Sequence, residues 1–192
     1  MPYKRVEIPE SELARQREIC FEIRERIEAS GKKPLAFVDT YGCQQNEADS
    51  EEIRGYIELM GYVVNTCAIR EHAEMRVLGN VGALVHAKAK NPDLLVAVCG
   101  CMVQQPHMAE KLKKSFRVVD LVFGPHELWR FPELYNRART TGKRVFDAPP
   151  SEGVVAEGLP VRRSGKVKAW LSIMYGCNNF CTYCIVPYVR GR

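Results

Sequence analysis

The sequence predicts an α/β protein in which an open parallel sheet carries helices on both faces over residues 34–140. Two observations support this fold class. Short apolar runs alternate with helical segments along the range, and a helix is the usual connection between one parallel strand and the next. The run at 94–98 is almost continuously apolar, as a strand covered on both faces should be.

The elements follow in chain order. Residues 1–33 form an N-terminal helical extension, whose helix at 11–30 is capped by Ser11 and ended by Gly31. Strands are expected at 35–38, 62–65, 94–98 and 118–122, with helices after them at 47–60, 70–90, 108–114 and 127–138. Residues 141–165 are rich in glycine and proline and indicate a linker, after which residues 166–192 begin another domain with a strand at 167–174.

Composition narrows the class of protein. With 46% hydrophobic and 27% charged residues, the chain is typical of a globular protein. It has no apolar run long enough to span a membrane and no apolar segment near its start, so we expect no membrane association and a cytoplasmic location. The net charge of +5 modestly favours a polyanionic partner.

Three cysteines of the C-terminal segment, Cys177, Cys181 and Cys184, stand at the spacing C-x3-C-x2-C. Thiolates this close on one loop can wrap a single cluster, and three of them leave one iron of a [4Fe-4S] cube without a protein ligand. A zinc site would need a fourth Cys or His nearby, and all four histidines lie far upstream. Zinc and unliganded structural cysteines are the alternatives.

A second set of cysteines is spread along the sheet. Cys43, Cys67 and Cys101 follow the first, second and third predicted strands, and the loops after parallel strands lie along one edge of a sheet, where ligands bind. We therefore expect a second cluster there, with simple burial near strand ends as the alternative. Cys99 could replace Cys101 by its spacing, but as the last strand residue it is expected to pack into the core, as is Cys20 on the apolar stripe of the first helix.

Four separated motifs, at 40–47, 65–71, 99–105 and 175–192, resemble those of the radical SAM methylthiotransferases, as does the stretch at 158–163. The first three look like those of members that methylthiolate C2 of N6-isopentenyladenosine at position 37 of tRNA. Sister members act on threonylcarbamoyl-adenosine in tRNA or on a ribosomal protein. The resemblance implies an N-terminal methylthiotransferase domain, a radical SAM α/β barrel and a C-terminal TRAM domain.

The resemblance also implies cofactors, ligands and partners. The trio of Cys177, Cys181 and Cys184 would hold a [4Fe-4S] cluster that, with S-adenosyl-L-methionine, generates a 5'-deoxyadenosyl radical. The trio of Cys43, Cys67 and Cys101 would hold an auxiliary [4Fe-4S] cluster that carries the sulfur. Apart from these ligands it assigns no catalytic residue. The expected partners of a monomeric enzyme are tRNA, an electron donor of the flavodoxin or ferredoxin type and a sulfur donor.

The chain departs from the family pattern in two places. It stops after the first strand and cluster loop of the barrel, which in full takes roughly 200 residues or more. It also lacks a segment with an acidic stretch that the family has between Gly61 and Val63. A non-catalytic Fe-S electron carrier or redox sensor, or an interaction module, remains the alternative function. Arg70, Arg190 and Arg192 could contact phosphate or carboxylate, although arginines are more often solvated or packed.

Overall fold

The structure is a computed structural model that describes residues 6–69, 73–149, 154–163, 165 and 167–191. Its helices are Glu10–Ala29 (α1), Gln44–Leu59 (α2), Ala73–Lys90 (α3), Pro106–Ser115 (α4), Phe131–Thr141 (α5) and Val186–Val189 (α6). Its strands are Val6–Glu7 (β1), Leu35–Tyr41 (β2), Val63–Ile69 (β3), Ala97–Cys99 (β4), Leu121–Phe123 (β5), Val145–Asp147 (β6) and Val154–Val155 (β7). Two 3-10 helices cover Cys101–Gln104 and Pro125–Arg130.

Every strand pairing in the described residues is parallel. The strands form three groups, β4-β5-β6, β2-β3 and β1-β7, rather than one continuous sheet. From β1 to β6, successive strands are joined by helices, as the alternation in the sequence predicts. The predicted α/β class with parallel strands is therefore confirmed.

The group β4-β5-β6 is covered by helices on both faces. Leu121 and Phe123 of β5 pack into one core cluster, with apolar residues of α1, α2 and α5, whereas Val122 between them packs into another, with residues of α3 and α4. Alternate side chains of a strand point to opposite faces, so the two clusters lie on opposite sides of this sheet. The layered arrangement is the one that the sequence predicts.

The first helix has a different cap from the predicted one. It begins at Glu10, with Pro9 rather than Ser11 at the N-cap position and no side-chain cap. Ser11 lies inside the first turn because proline fixes the φ that a helix start requires. At the other end Gly31, with φ of 65°, follows the helix as expected. Cys20 is fully buried in the core, as predicted, and this burial raises its pKa to about 12.

Strands β2 and β3 are longer than predicted. The two pair in register from Leu35↔Val63 to Tyr41↔Ile69, so residues expected in loops continue the ladder. The turn from α2 into β3 is short: Gly61, with φ of 87°, donates its N–H to Glu58 O at 3.0 Å, and Tyr62 donates to Ile57 O at 3.2 Å. These two bonds form a Schellman motif, which ends the helix within two residues.

The C-terminal part differs most from expectation. Residues 167–174 form no strand with any described residue, and Val167, Leu171 and Ile173 remain exposed. A strand needs a hydrogen-bonded neighbour, and this segment pairs with none of the described strands. In the segment predicted as a linker, Val145–Asp147 is instead the third strand of the group β4-β5-β6, the main sheet of the structure. Pro160 packs against Gly55 of α2.

Candidate functional site

The first cysteine loop is built around the side chain of Asn46. Cys43 is the N-cap residue of α2, directly after β2, and its Sγ donates to Asn46 Oδ1 at 3.4 Å. Asn46 Nδ2 donates to Tyr41 O at 2.8 Å, which fixes the amide over the loop. Gly42 has φ of 107°, and a Cβ at this position would lie 3.0 Å from Asn46 Nδ2. The loop therefore requires glycine before the cysteine.

Cys101 reaches the same amide from another strand end. Gly100, with φ of 102°, turns the chain after β4, and Cys101 begins the 3-10 helix that follows. Cys101 Sγ lies 3.8 Å from both the nitrogen and the oxygen of the Asn46 amide. Two cysteines far apart in sequence are thus brought to one side chain, at the carboxyl ends of β2 and β4. This agrees with the expectation that strand-end loops meet.

The other two cysteines of this region have different positions. The sequence predicts Cys67 in the loop after its strand, which is wrong. Cys67 lies within β3, where it pairs with Asp39 of β2. The ladder extends past it because β2 and β3 remain in register to Ile69. The side chain of Cys67 lies outside the described residues. Cys99 is the last residue of β4, is half-buried and packs against the core, and burial raises its pKa to about 12.

The C-terminal cysteine loop is held by short-range backbone bonds. Gly176 and Phe180, the residues directly before Cys177 and Cys181, both have positive φ, of 72° and 44°. For a bulky residue such as Phe180 this conformation is unfavourable, and such residues concentrate at functional sites. Cys184 donates its N–H to Cys181 O at 2.9 Å, and the Cys177 N–H is bonded to Gly191 O at 3.0 Å.

The thiols fit an iron–sulfur site by their chemistry. Cys43 and Cys181 are exposed, Cys101, Cys177 and Cys184 are half-buried, and all five are free of disulfides. Thiolates of this kind are the ligands that Fe-S clusters take in proteins. Within the ranges that the structure describes, no group of three or more Cys, His, Asp or Glu side chains is arranged to hold a metal ion. The donor set therefore fits a cluster by its chemistry.

A buried ionic contact beside these loops was not predicted from the sequence. Arg190 Nη2 donates to Asp49 Oδ2 at 2.6 Å and to Asn46 Oδ1 at 3.0 Å. Burial alone would lower the pKa of Arg190, but Asp49 and the nearby cysteines raise it. Arg190 is therefore a packed residue rather than one available to RNA, whereas Arg70 and Arg192 lie outside the described residues. Only its place within a motif pointed to it in the sequence.

Two further ionisable groups surround this contact. Glu52, one turn along α2 from Asp49, has its pKa raised to about 8 by burial and by the carboxylate of Asp49. Tyr175, at the entry to the cysteine loop, has its pKa raised to about 12 by burial and by the same carboxylates. The contact between α2 and the C-terminal segment is therefore poorly hydrated, and one arginine faces two carboxyl groups there.

Comparison with known proteins gives matches over nearly the whole chain. Residues 36–124 match the family described as "Uncharacterized protein family UPF0004". Over 98% of its length the chain is 46% identical to the tRNA-2-methylthio-N(6)-dimethylallyladenosine synthase of Clostridioides difficile, of which it covers 43%. The synthase of the same name from Clostridium tetani is 49% identical over 84% of the chain, which covers 38% of it. No solved structure matches the chain significantly.

The described strands and helices form an α/β domain with parallel strands, and cysteine-bearing loops follow β2 and β4. The resemblance to the methylthiotransferases that its motifs predict is confirmed, because the relatives that match nearly the whole chain are named as tRNA-2-methylthio-N(6)-dimethylallyladenosine synthases. It spans less than half the length of these relatives. The alignment to the C. difficile relative runs over 205 positions against the 192 residues of the chain, so it includes positions that this chain lacks.

A helix that crosses a membrane must be both long and apolar. No helix among residues 6–69, 73–149 and 154–191, as far as these are described, is both long and apolar enough to cross a membrane.

Proposed function

We propose that this chain takes part in the methylthiolation of C2 of N6-isopentenyladenosine at position 37 of tRNA, in the cytoplasm. The relatives that it matches over 98% of its length are named for the synthesis of this nucleoside. The observation that carries the proposal is the meeting of Cys43 and Cys101, distant in sequence, at the side chain of Asn46. A second set of thiols in one short loop completes the pattern.

The proposal assigns each cysteine set a cofactor. Cys177, Cys181 and Cys184 would hold one [4Fe-4S] cluster, and Cys43, Cys67 and Cys101 another. When bound, the two clusters supply the reductive cleavage of S-adenosyl-L-methionine and the sulfur that is transferred. Iron–sulfur and adenosylmethionine chemistry belongs to the cofactors, whereas the protein contributes binding and placement.

The described side chains indicate how placement is achieved. Asn46 orients the thiols of Cys43 and Cys101 toward one point, which is the role that hydrogen-bonded neighbours of metal ligands have. The exposed position of Cys43 and Cys181 leaves room for a reacting partner. The net charge of +5 favours the approach of tRNA, because phosphate contacts provide most of the affinity for nucleic acid. A flavodoxin- or ferredoxin-type electron donor, a sulfur donor and a monomeric state complete the proposal.

Nucleoside mass spectrometry on tRNA from cells lacking the gene tests the proposal. We expect the methylthio group to disappear from the isopentenylated adenosine while the isopentenyl group remains. The intact wild-type gene should restore it, and a gene with Cys177→Ala should not. Cys20→Ala is the matched control, because Cys20 is buried in the core and belongs to neither trio. Persistence of the methylthio mark in the deletion strain would refute the tRNA assignment.

A further inference from the structure

A line of hydrogen bonds joins the first cysteine of one trio to the first cysteine of the other. Cys43 Sγ donates to Asn46 Oδ1 at 3.4 Å, and Arg190 Nη2 donates to the same oxygen at 3.0 Å. The residue after Arg190 is Gly191, whose carbonyl oxygen accepts the N–H of Cys177 at 3.0 Å. Arg190 and Gly191 therefore contact both cysteine loops. The side chain of Arg190 bonds Asn46 in the first loop, and the carbonyl of Gly191 bonds Cys177 in the second.

The central residue of this line is buried and paired. The side chains of Arg190 and Asp49 are 9% and 11% exposed, and their closest atoms are 2.6 Å apart. An exposed ion pair would contribute little, whereas removing one partner of a buried pair leaves an uncompensated charge in a poorly hydrated place. The guanidinium also directs its donors in a fixed plane, so it sets a direction as well as a charge.

The packing around Arg190 gives the contact a rigid base. The short helix α6, which ends one residue before Arg190, packs against the 3-10 helix that begins with Cys101. Pro187 and Val189 of α6 are buried. The segment after the C-terminal cysteines is thus in contact with both strand-end loops of the upstream trio, through Asn46 and through the helix of Cys101.

We propose that Arg190 is a positioning residue that fixes the separation between the two cysteine trios by tying the peptide bonded to Cys177 to Asn46 and Asp49 of α2. The inference rests on the proposed function in so far as the two trios act together. Arg190 touches no reacting atom. Its role is to fix the distance between the loop of Cys43 and the loop of Cys177. No strand or helix in the described residues is shared by these two loops.

Amide hydrogen exchange in the intact protein without added cofactor tests the contact itself. In Arg190→Gln we expect exchange at Cys177 and across residues 43–49 to become about tenfold faster or more. These amides open locally once the contact of residue 190 with Asn46 and Asp49 is lost. Exchange in β5, at the centre of the main sheet, should stay as in the wild type. Arg162→Gln is the matched control: it removes a half-exposed arginine whose pair with Glu58 spans 3.1 Å, away from both trios.

A charge exchange separates positioning from general support. In the double variant Arg190→Asp with Asp49→Arg, the two charges still face each other, and we expect Cys177 to regain most of its protection. The inference is overturned if Arg190→Gln leaves exchange at Cys177 unchanged. It is equally overturned if exchange rises by the same factor in β5, since Arg190 would then support the whole fold.

A measurement on the loaded protein distinguishes this inference from the proposed function. After reconstitution of both clusters, pulsed electron paramagnetic resonance gives the magnetic coupling between them. We expect one narrow distance distribution in the wild type and a broader one in Arg190→Gln at unchanged iron content. Wild-type protein that takes up only one cluster would contradict the proposed function, while the exchange result for Arg190 would stand. Identical distributions in the two proteins would contradict the positioning role.

Discussion

The two cysteine loops differ in what holds their thiols in place. In the C-terminal loop three cysteines lie within eight residues, and backbone bonds such as Cys184 N–H to Cys181 O order them locally. In the upstream set Cys43 and Cys101 come from the ends of different strands and meet only through the fold. The first arrangement depends on a short peptide, the second on an assembled domain.

This difference predicts how each site fails. A local loop loses its ligand set only when a cysteine itself is replaced, because the short peptide between its cysteines keeps them close together. A site assembled from strand ends is also sensitive to residues that position the strands, such as Gly42 and Asn46, whose replacement moves ligands without removing them. The contact of Arg190 with Asp49 joins the two kinds of site.

The largest expected effect comes from the local loop. Replacing Cys177, Cys181 or Cys184 by Ala should abolish reductive cleavage of S-adenosyl-L-methionine, since the remaining two thiols cannot hold a cluster with one open iron. The measurement is the yield of 5'-deoxyadenosine from reconstituted protein with a chemical reductant. Cys20→Ala should keep full cleavage because its thiol is buried elsewhere. Unchanged cleavage in any of the three loop variants would contradict the ligand assignment.

The assembled site should separate two activities. In Cys43→Ala and Cys101→Ala we expect iron content to fall by about one cluster, four irons, and methylthiolated tRNA to be lost, with a much smaller effect on 5'-deoxyadenosine. Iron analysis and nucleoside mass spectrometry measure the two outcomes on the same protein. Asn46→Ala should weaken iron binding at this site by about 10- to 100-fold, the usual effect of removing a residue that orients ligands. Equal loss of both activities would remove the distinction between the two sites.

The local features of the molecule could be predicted from its sequence. The helices α1, α2 and α4, the parallel pairing, the burial of Cys20 and the packing of Cys99 against the core follow from apolar periodicity and alternation with strands. The cysteine loop at 177–184 was recognisable because its ligand spacing is contained in eight residues. Patterns of this range depend on neighbouring positions alone, which is what a sequence displays directly.

The remaining features depend on partners that are distant in sequence. Asp39 to Tyr41 contain the polar residues of a loop, yet they form a strand because β3 continues to pair with them. Residues 167–174 alternate like a strand but pair with no strand in the described structure. Arg190 and Asp49 are 141 positions apart, and nothing in either local sequence identifies the other. Such contacts are fixed only when the whole chain is folded.

A smaller effect is expected where the segment before the C-terminal loop crosses α2. A Cβ at Gly55 would lie 2.2 Å from Pro160 O, so Gly55→Ala must displace the segment that also bonds Glu51 O through the N–H of Arg162 at 2.9 Å. We expect a loss of about 2 kcal/mol in the free energy of unfolding, typical of overpacking. Urea denaturation measures it.

Gly79→Ala is the matched control for this substitution. Gly79 also lies inside a helix, α3, but a Cβ there meets nothing within 4 Å. Because alanine restricts the unfolded chain, stability should rise by up to about 1 kcal/mol. A loss at Gly55 no greater than the change at Gly79 would mean that the crossing segment is not held against α2.

The smallest expected effect is a pH dependence beside the contact between the loops. Burial, reinforced by the carboxylate of Asp49, raises the pKa of Glu52 from 4.5 to about 8. The folded protein thus holds a proton that the unfolded chain releases, so this contribution to stability is complete below about pH 4.5 and is lost as the pH rises toward 8. Glu52→Gln keeps the neutral form at every pH. Its urea midpoint should therefore gain on the wild type between pH 5 and pH 8.

Glu110→Gln provides a control of opposite sign. Glu110 is fully exposed, and its hydrogen bond to Lys114 lowers the pKa of its carboxyl group, so neutralising it should produce no gain in the urea midpoint between pH 5 and pH 8. The Glu52 result also refines the comparison between the two loops. A midpoint that gains with pH in Glu52→Gln means that the contact on α2 is closed to water in the folded protein, as the pairing of Arg190 with Asp49 requires. A midpoint that follows the wild type at both pH values means that water reaches this contact, and the burial on which the tie between the loops depends would be absent.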